Sequence, residues 1–361
     1  MNATRSTSDS ATHPAIIAPW VDPLAVGGLS LLVFVPILLS GRHDLLLVGV
    51  GAQAWLGTML NMPHFLASYR MVYRSKEIML RHKWASIYIP LLLFFYIIVA
   101  IWQAQYSPAL VSLLLMVSSG YLAWHYTGQA WGMMATFAYL EGVPFLPEER
   151  RLVRGSLRIL LVWHVTWFLH TVELPFDLAN IYTAMSVASV GAFVLGAVGL
   201  ARMRRRTGRL PPLRSLIAWL AIFSWYAVIA QEPKAIFLVQ IAHAVQYLIF
   251  PVRVEINVTA RAEEGQPPHL VRHMLLYGIL LLGASYLMSN QIPGTAMSFV
   301  AKALGEQPGG VVPIMIFAFL NIHHYFTDGV MWKLRNPAVR EDLFAHLPAP
   351  AVGGGRQRRN R

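Results

Sequence analysis

Stretches of about twenty apolar residues, the length that crosses a bilayer as an α-helix, recur along this chain with short polar segments between them. Within a membrane only helices and closed barrels satisfy every backbone polar group. The 361 residues are 56% hydrophobic and 13% charged, whereas soluble domains carry about 25% charged residues. The sequence therefore predicts an all-α fold, a polytopic transmembrane helix bundle.

We expect about ten spans, and the segments that connect most of them are short. Their approximate bounds are 23–40, 45–62, 86–104, 108–130, 153–171, 178–201, 214–231, 234–252, 270–290 and 311–330. This division predicts a disordered N-terminal tail over 1–19, a transmembrane helical domain over 20–335 and a basic tail over 336–361.

The formal net charge of +12 is concentrated in a few segments of the chain. Lysines and arginines follow the second, fourth and sixth predicted spans and end the chain, whereas the alternate loops carry few of them. The positive-inside rule then predicts that both termini lie in the cytoplasm. We expect the protein to be a multi-pass protein of the inner (cytoplasmic) membrane. The same distribution indicates contact with anionic membrane lipids and no nucleic-acid partner.

The chain contains no cysteine. Disulfides, a thiolate nucleophile and any Cys-ligated zinc or iron–sulfur site are therefore excluded. Any bound metal must be held by histidine and carboxylate side chains.

The last predicted span ends in the segment 321–333, NIHHYFTDGVMWK, which brings two imidazoles and a carboxylate to an otherwise apolar helix. Asp328 follows His324 at i+4, so these two side chains share one face. Polar groups at such a depth are costly unless they are paired or bind a ligand. The segment therefore favours a functional site, and the alternative is a cluster at the membrane interface facing water.

Three other histidines lie in apolar surroundings far apart in the chain. They are His64 in NMPHFLASYR, His125 in AWHYTGQAWG and His243 in QIAHAVQYLIF. The predicted topology puts them, together with His323 and His324, at one depth near the cytoplasmic leaflet. We expect these five histidines to supply the ligands of a single metal site, and the alternative is hydrogen bonding between packed helices.

Three polar residues lie about one helical turn from predicted ligands: Gln129 is i+4 from His125, while Gln246 and Tyr247 are i+3 and i+4 from His243. Such neighbours orient a ligating imidazole through its second nitrogen. We therefore assign catalytic or orienting roles to Asp328, Tyr247 and Gln129. The remaining apolar-context histidines, His164 and His170, are expected to be packed core residues.

A set of neutral imidazoles with one carboxylate suits Fe(II), Zn or Cu better than Mg or Ca. A substrate that enters from lipid is apolar and has few hydrolysable bonds, so Fe(II) with O2 as cosubstrate is the favoured chemistry. Zinc-dependent hydrolysis of a lipid ester is the less favoured one. Two alternatives remain open: a haem- or quinone-binding electron-transfer protein, and a transporter or scaffold with a histidine-lined cavity.

The motifs also follow a familiar order: Pro63-His64, His125-Tyr126 with Gly128, His243, and His323-His324 with Asp328. This order resembles that of the bacterial Brp/Blh-type β-carotene 15,15'-dioxygenases. The resemblance implies a polytopic membrane oxygenase with a His-ligated non-haem iron and a carotenoid or other lipid as substrate. The chain departs from the family pattern at Tyr247, where a second histidine is expected, and at Gln129, where an acidic residue is expected.

Overall fold

A computed structural model describes residues 14–172, 177–262, 269–332 and 336–347. Within these ranges the chain forms helices and no strand, which confirms the predicted all-α class. Nine of the described helices are long and apolar enough to cross a membrane. The chain is therefore a multi-pass helical membrane protein. The outer parts of both predicted tails, 1–13 and 348–361, lie outside the described residues.

The helices are numbered in chain order. They are α1 Val21–Ser40, α2 50–73, α3 Lys76–Arg81, α4 Trp84–Gln103, α5 Ala109–Leu140, α6 Pro147–Thr171, α7 Ala179–Thr207, α8 Leu213–Gln231, α9 Ile236–Ala262, α10 Leu270–Leu304, α11 Glu306–Met331 and α12 Pro337–Phe344. All except α2, α3 and α12 are among the nine candidate spans.

Helix α2 differs most from its predicted bounds of 45–62. A 3-10 turn at His43–Leu46 precedes it, and the helix begins at Val50 and continues to Tyr73. Polar residues such as Asn61 and Ser68 interrupt its apolar sequence, so it is not among the nine candidate spans. The longer helix places His64 well inside α2, where neighbouring helices surround it.

Three helices contain a wide π-helical turn shortly before a proline. These are Gly57–Asn61 before Pro63, Trp84–Tyr88 before Pro90, and Leu287–Gln291 before Pro293. Proline has no N–H and its ring collides with the preceding turn of a regular α-helix, so a local widening relieves both problems. In α2 this irregularity lies directly beside His64.

Helix α11 has the central position in the part of the bundle that holds the candidate site. It packs against α2, α4, α5 and α10, while α9 packs against α2 and the first turns of α1. The α10–α11 pair approaches closely at Gly309, where any side chain would overlap Ala301. Packing therefore brings α2, α5, α9 and α11 together although they come from distant parts of the sequence.

The segment before α1 is attached to the bundle by polar contacts. Asp22, which is fully buried, accepts hydrogen bonds from the backbone N–H groups of Ile16 at 2.7 Å and Ile17 at 2.9 Å. Arg214 of α8 donates to the same carboxylate at 3.2 Å, and Arg253 of α9 donates to the carbonyl of Ile16. Residues 14–18 are thus an ordered part of the fold.

Helix α1 is kinked at Gly27, whose φ of 139° is accessible to glycine and strained for other residues. A side chain there would also overlap Ala221 of α8. The adjacent carbonyl of Val26 accepts a hydrogen bond from Gln246 Nε2 at 2.6 Å. This hydrogen bond at the kink connects α1 to Gln246, a buried polar residue of α9.

Candidate metal centre

Four imidazoles and one carboxylate meet inside the bundle. They are His64 of α2, His125 of α5, His243 of α9, and His324 and Asp328 of α11. Each imidazole is at most 5% exposed, and Asp328 is 8% exposed. The structure thus brings together four of the five predicted histidine ligands, contributed by four separate helices.

The donor atoms of these residues are close to one another. His125 Nε2 lies 3.1 Å from His243 Nε2, and Asp328 Oδ2 lies 3.6 Å from His125 Nε2 and 3.5 Å from His324 Nε2. Ligands held about 2.1 Å from one ion at ordinary coordination angles are separated by about 3.0–3.4 Å. The observed separations are close to this range.

The donor atoms fall into two overlapping groups that share His324. One group is His64, His243 and His324, the other is His125, His324 and Asp328, and within each the ligand atoms lie within 4.8 Å of one another. Both groups are composed of buried residues. Each group has the three protein ligands that a metal site with open coordination positions requires.

A chain of hydrogen bonds fixes the tautomer of His324. Thr327 Oγ1 donates to the carbonyl of His324 at 2.8 Å, so the hydroxyl of Ser68, 2.7 Å away, donates to Thr327. Ser68 Oγ is therefore free to accept from His324 Nδ1 at 3.0 Å. Because Nδ1 carries the hydrogen, Nε2 of His324 has a free lone pair, and Nε2 has no hydrogen-bond partner among the described residues.

His64 has the same tautomer for a simpler reason. Its Nδ1 hydrogen-bonds to the carbonyl of Asn61, which can only accept, so Nδ1 carries the hydrogen. Its Nε2 is buried and has no hydrogen-bond partner in the described part of the chain. Buried polar atoms are nearly always hydrogen-bonded, so these two unpartnered Nε2 atoms mark the cluster as a candidate metal site.

The carboxylate of Asp328 is held from the side opposite its Oδ2 contacts. Tyr247 donates to Asp328 Oδ1 at 2.8 Å, and Trp332 Nε1 donates to the Tyr247 hydroxyl at 3.1 Å. Tyr247 thus contacts the predicted carboxylate directly and orients it. An ionised carboxylate buried among neutral imidazoles is costly without a compensating positive charge, and a metal cation would supply that charge.

Gln129 lies next to the cluster without contacting its donor atoms. Its Nε2 donates to Gln246 Oε1 at 3.1 Å and approaches the backbone carbonyl of His243 at 3.4 Å. Gln246 in turn bonds to Val26 of α1. The structure therefore places Gln129 in a supporting layer that fixes the backbone of α9, one step from the imidazole rings.

His323 is the predicted ligand that the structure places elsewhere. Its ring stacks on Tyr69, with centroids 4.7 Å apart, and its Nε2 lies 3.0 Å from the carbonyl of Ala85. A carbonyl only accepts, so this nitrogen carries a hydrogen and has no lone pair for a metal. The neighbouring residue His324 is the one that joins the cluster.

The two histidines of α6 lie outside the cluster, as expected. His164 Nδ1 is 3.3 Å from the hydroxyl of Tyr226, and its ring lies beyond Tyr126, whose own ring packs on His243. His170 stacks on Tyr182 with centroids 4.6 Å apart, but it is exposed, so the prediction of a packed core residue is wrong for His170.

Several supporting residues were absent from the sequence prediction. They are Asn61, Ser68 and Thr327. A signal existed for two of them, since Ser68 follows His64 by one helical turn and Thr327 follows His324 at i+3. The partner of Ser68 is nevertheless His324 of another helix, which no spacing within α2 could indicate.

Comparison of the chain with protein-family models, with curated proteins and with solved structures finds no match. The resemblance to the Brp/Blh-type dioxygenases stays a prediction that these comparisons do not test. The chemistry of the site must therefore follow from its own side chains.

Proposed function

We propose that this protein is a membrane-embedded non-haem iron oxygenase that acts on a long apolar substrate such as a carotenoid or another lipid. The observation that carries the proposal is the buried group of four imidazoles and one carboxylate. In His64 and His324 a hydrogen bond fixes the hydrogen on Nδ1, and the Nε2 atom has no hydrogen-bond partner among the described residues. Iron(II) bound by histidine and carboxylate, with open positions, supplies O2 activation.

The side chains around the cluster have distinct roles in this proposal. The four imidazoles bind the ion as neutral ligands, and Asp328 supplies the negative charge, either as a ligand or by orienting one. Ser68 and the Asn61 carbonyl hold two rings in the required tautomer. The low exposure of all four rings keeps bulk water away from the reaction.

An apolar cavity supports the assignment of an apolar substrate. It has a volume of about 890 Å³ and lies between α1, α6, α7 and α8. Its wall includes Tyr226, which contacts His164; the ring of His164 faces Tyr126, and Tyr126 packs on His243. Three rings in succession therefore separate the cavity from the cluster, and the apolar wall of the cavity is suited to a hydrocarbon chain.

The alternatives fit these contacts less well. Haem ligated by two histidines needs a macrocycle between the rings, and the 3.1 Å separation of His125 Nε2 and His243 Nε2 leaves no room for one. A transport pathway needs access for water, whereas the imidazoles of the cluster are at most 5% exposed.

The test combines metal analysis with a reaction assay on the full-length protein purified in detergent. We expect stoichiometric iron, an optical spectrum without a Soret band, and O2-dependent conversion of β-carotene or another polyene lipid after Fe(II) is supplied. The His125→Ala and His243→Ala variants should lose both iron and activity. The proposal fails if the wild-type protein binds no transition metal, or if these variants keep their metal.

A further inference from the structure

The apolar cavity between α1, α6, α7 and α8 is long and narrow enough in outline to fix how a chain lies in it. Its wall follows α8 from Ile217 to Ala230 and α1 from Pro23 to Val35. At 1.5 Å per residue these two stretches are about 18–20 Å long. The cavity therefore has the length of an extended hydrocarbon chain.

Ser224 of α8 lies near the midpoint of this length. It follows Ile217 by seven residues and precedes Ala230 by six. The neighbouring residue Trp225 donates its Nε1–H to Ser30 of α1 at 2.8 Å, which joins the middle of the α8 wall to the middle of the α1 wall. The hydroxyl of Ser224 is thus about 9–10 Å from either end of the cavity wall along the helix axis.

Ser189 of α7 lies at the level of Ser224. Helices α7 and α8 are consecutive and antiparallel, and Phe193 of α7 packs on Trp219 and Phe223 with centroids 4.6 Å and 5.2 Å apart. Ser189 lies one turn from Phe193 toward the start of α7, which in antiparallel helices is one turn further along α8. Both serines line the cavity, so two hydroxyl groups meet it at one level.

The hydroxyl hydrogens of both serines are already used within their own helices. Ser189 donates to the carbonyl of Ser186 at 2.7 Å, and Ser224 donates to that of Ala221 at 2.7 Å. A serine oxygen also has two acceptor lone pairs, and within the described ranges no donor bonds to either oxygen. The two serines can therefore accept from a ligand at no cost, whereas donating to one would break an existing hydrogen bond.

The other polar side chains of the wall have partners. Trp163 Nε1 donates to Ser186 at 3.1 Å, and Ser186 donates to the carbonyl of Tyr182 at 2.8 Å. The hydroxyl of Tyr226 lies 3.3 Å from His164 Nδ1. The described residues that line the cavity include no charged side chain, so the cavity does not match a charged head group.

We propose that the apolar cavity binds a long-chain lipid that carries a hydroxyl group within its chain, and that this hydroxyl donates to Ser189 or Ser224. A buried O–H group without an acceptor is costly, and the two serine oxygens remove that cost. The apolar wall extends to both sides of the serines, so the chain continues in both directions from the hydroxyl. The inference rests on the proposed function only in taking this lipid alcohol as the substrate class.

The test is lipid binding by the full-length protein in neutral detergent, measured by native mass spectrometry. The probes are octadecan-9-ol, its methyl ether 9-methoxyoctadecane, which cannot donate, and octadecan-1-ol. The variant is Ser189→Ala/Ser224→Ala. The control is Ser156→Ala/Ser285→Ala, which removes two buried hydroxyls that also donate to their own helices but do not line the cavity.

We expect the wild type and the control to prefer octadecan-9-ol over its methyl ether by about 3–10-fold more than the Ser189→Ala/Ser224→Ala variant does, the effect of one hydrogen bond. The same preference in the wild type and in this variant, or the same loss in the control, would overturn the proposal. Tighter binding of octadecan-1-ol than of octadecan-9-ol by the wild type would overturn the placement of the hydroxyl within the chain. The two single variants repeat the test if the double variant unfolds.

Binding of these probes is separate from the iron centre. The His125→Ala variant, which should lack iron, is expected to keep the preference for octadecan-9-ol. Loss of the preference for the alcohol in a protein that holds iron would overturn this inference alone. A wild-type protein without iron that keeps the preference would overturn the proposed oxygenase and leave the lipid-alcohol site in place.

Discussion

His323 and His324 are consecutive in the chain, yet the described structure gives their rings opposite roles. His324 points its Nε2 into the cluster with His64, His125 and Asp328, whereas His323 uses its Nε2 to donate to the carbonyl of Ala85. The two residues share a helix, a backbone environment and low exposure, 4% for His323 and 0% for His324. They form a matched pair in which only His324 belongs to the groups of possible metal ligands found among the described residues.

This pair gives the most direct test of the centre. His324→Ala should remove a ligand and lower metal affinity by more than the 10–100-fold that loss of an orienting partner causes. His323→Ala should keep the wild-type metal content. It removes a buried ring together with its stacking on Tyr69 and its hydrogen bonds, so the free energy of unfolding should fall by about 2–5 kcal/mol. The measurement is metal content by elemental analysis, followed by a chelator titration. Equal metal loss in both variants would contradict the assignment.

Ser68 should affect the centre without touching the ion. Its hydroxyl accepts from His324 Nδ1 and so fixes the tautomer that leaves Nε2 free. We expect Ser68→Ala to weaken metal binding about 10–100-fold, the usual effect of removing an orienting group. Chelator competition measures this change.

The control for Ser68 is Ser156→Ala. Ser156 is equally buried, but its hydroxyl donates to Val153 of its own helix α6. Metal affinity should be unchanged in this variant. A Ser68→Ala protein with wild-type affinity would show that the tautomer of His324 is set by other contacts.

The sequence was sufficient to predict the helical class and most of the residues that meet in the buried His–Asp cluster. Long apolar runs determine the class, and histidine is so costly in such runs that His64, His125 and His243 were identifiable one at a time. The choice between His323 and His324 was not predictable, because it depends on how α11 is rotated against α2. That rotation follows from packing contacts between residues more than 200 positions apart, such as Tyr69 with the carbonyl of Leu320.

The bounds of α2 and the ordered conformation of residues 14–18 could not be predicted, for a related reason. Gly57 and Pro63 disfavour a regular helix at this point of the sequence. The π-helical turn Gly57–Asn61 nevertheless lets α2 continue through it. Residues 14–18 have the composition of a tail, and contacts with Asp22, with the arginines of α8 and α9 and with His346 order them. Long-range polar contacts of this kind leave no local pattern.

Filling the apolar cavity should separate substrate binding from metal binding. Ala227 lines the cavity on α8, and Ala227→Trp would occupy part of its volume of about 890 Å³. We expect unchanged iron content with reduced binding of a carotenoid, measured by absorption of the co-purified pigment. Ala184→Trp, on an exposed face of α7 outside the cavity, is the control. Equal pigment in both variants would place the substrate elsewhere.

Asp22 should be a major source of stability at the start of α1. It is fully buried and accepts from the N–H groups of Ile16 and Ile17 and from Arg214. Asp22→Ala leaves a buried arginine and two N–H donors without this partner, so the free energy of unfolding should fall by about 3–5 kcal/mol. Thermal unfolding in detergent measures the loss, with faster proteolysis near residues 14–18. Asp44→Ala removes an exposed carboxylate paired with Arg42 and should have no measurable effect; equal destabilisation by both substitutions would contradict this role for Asp22.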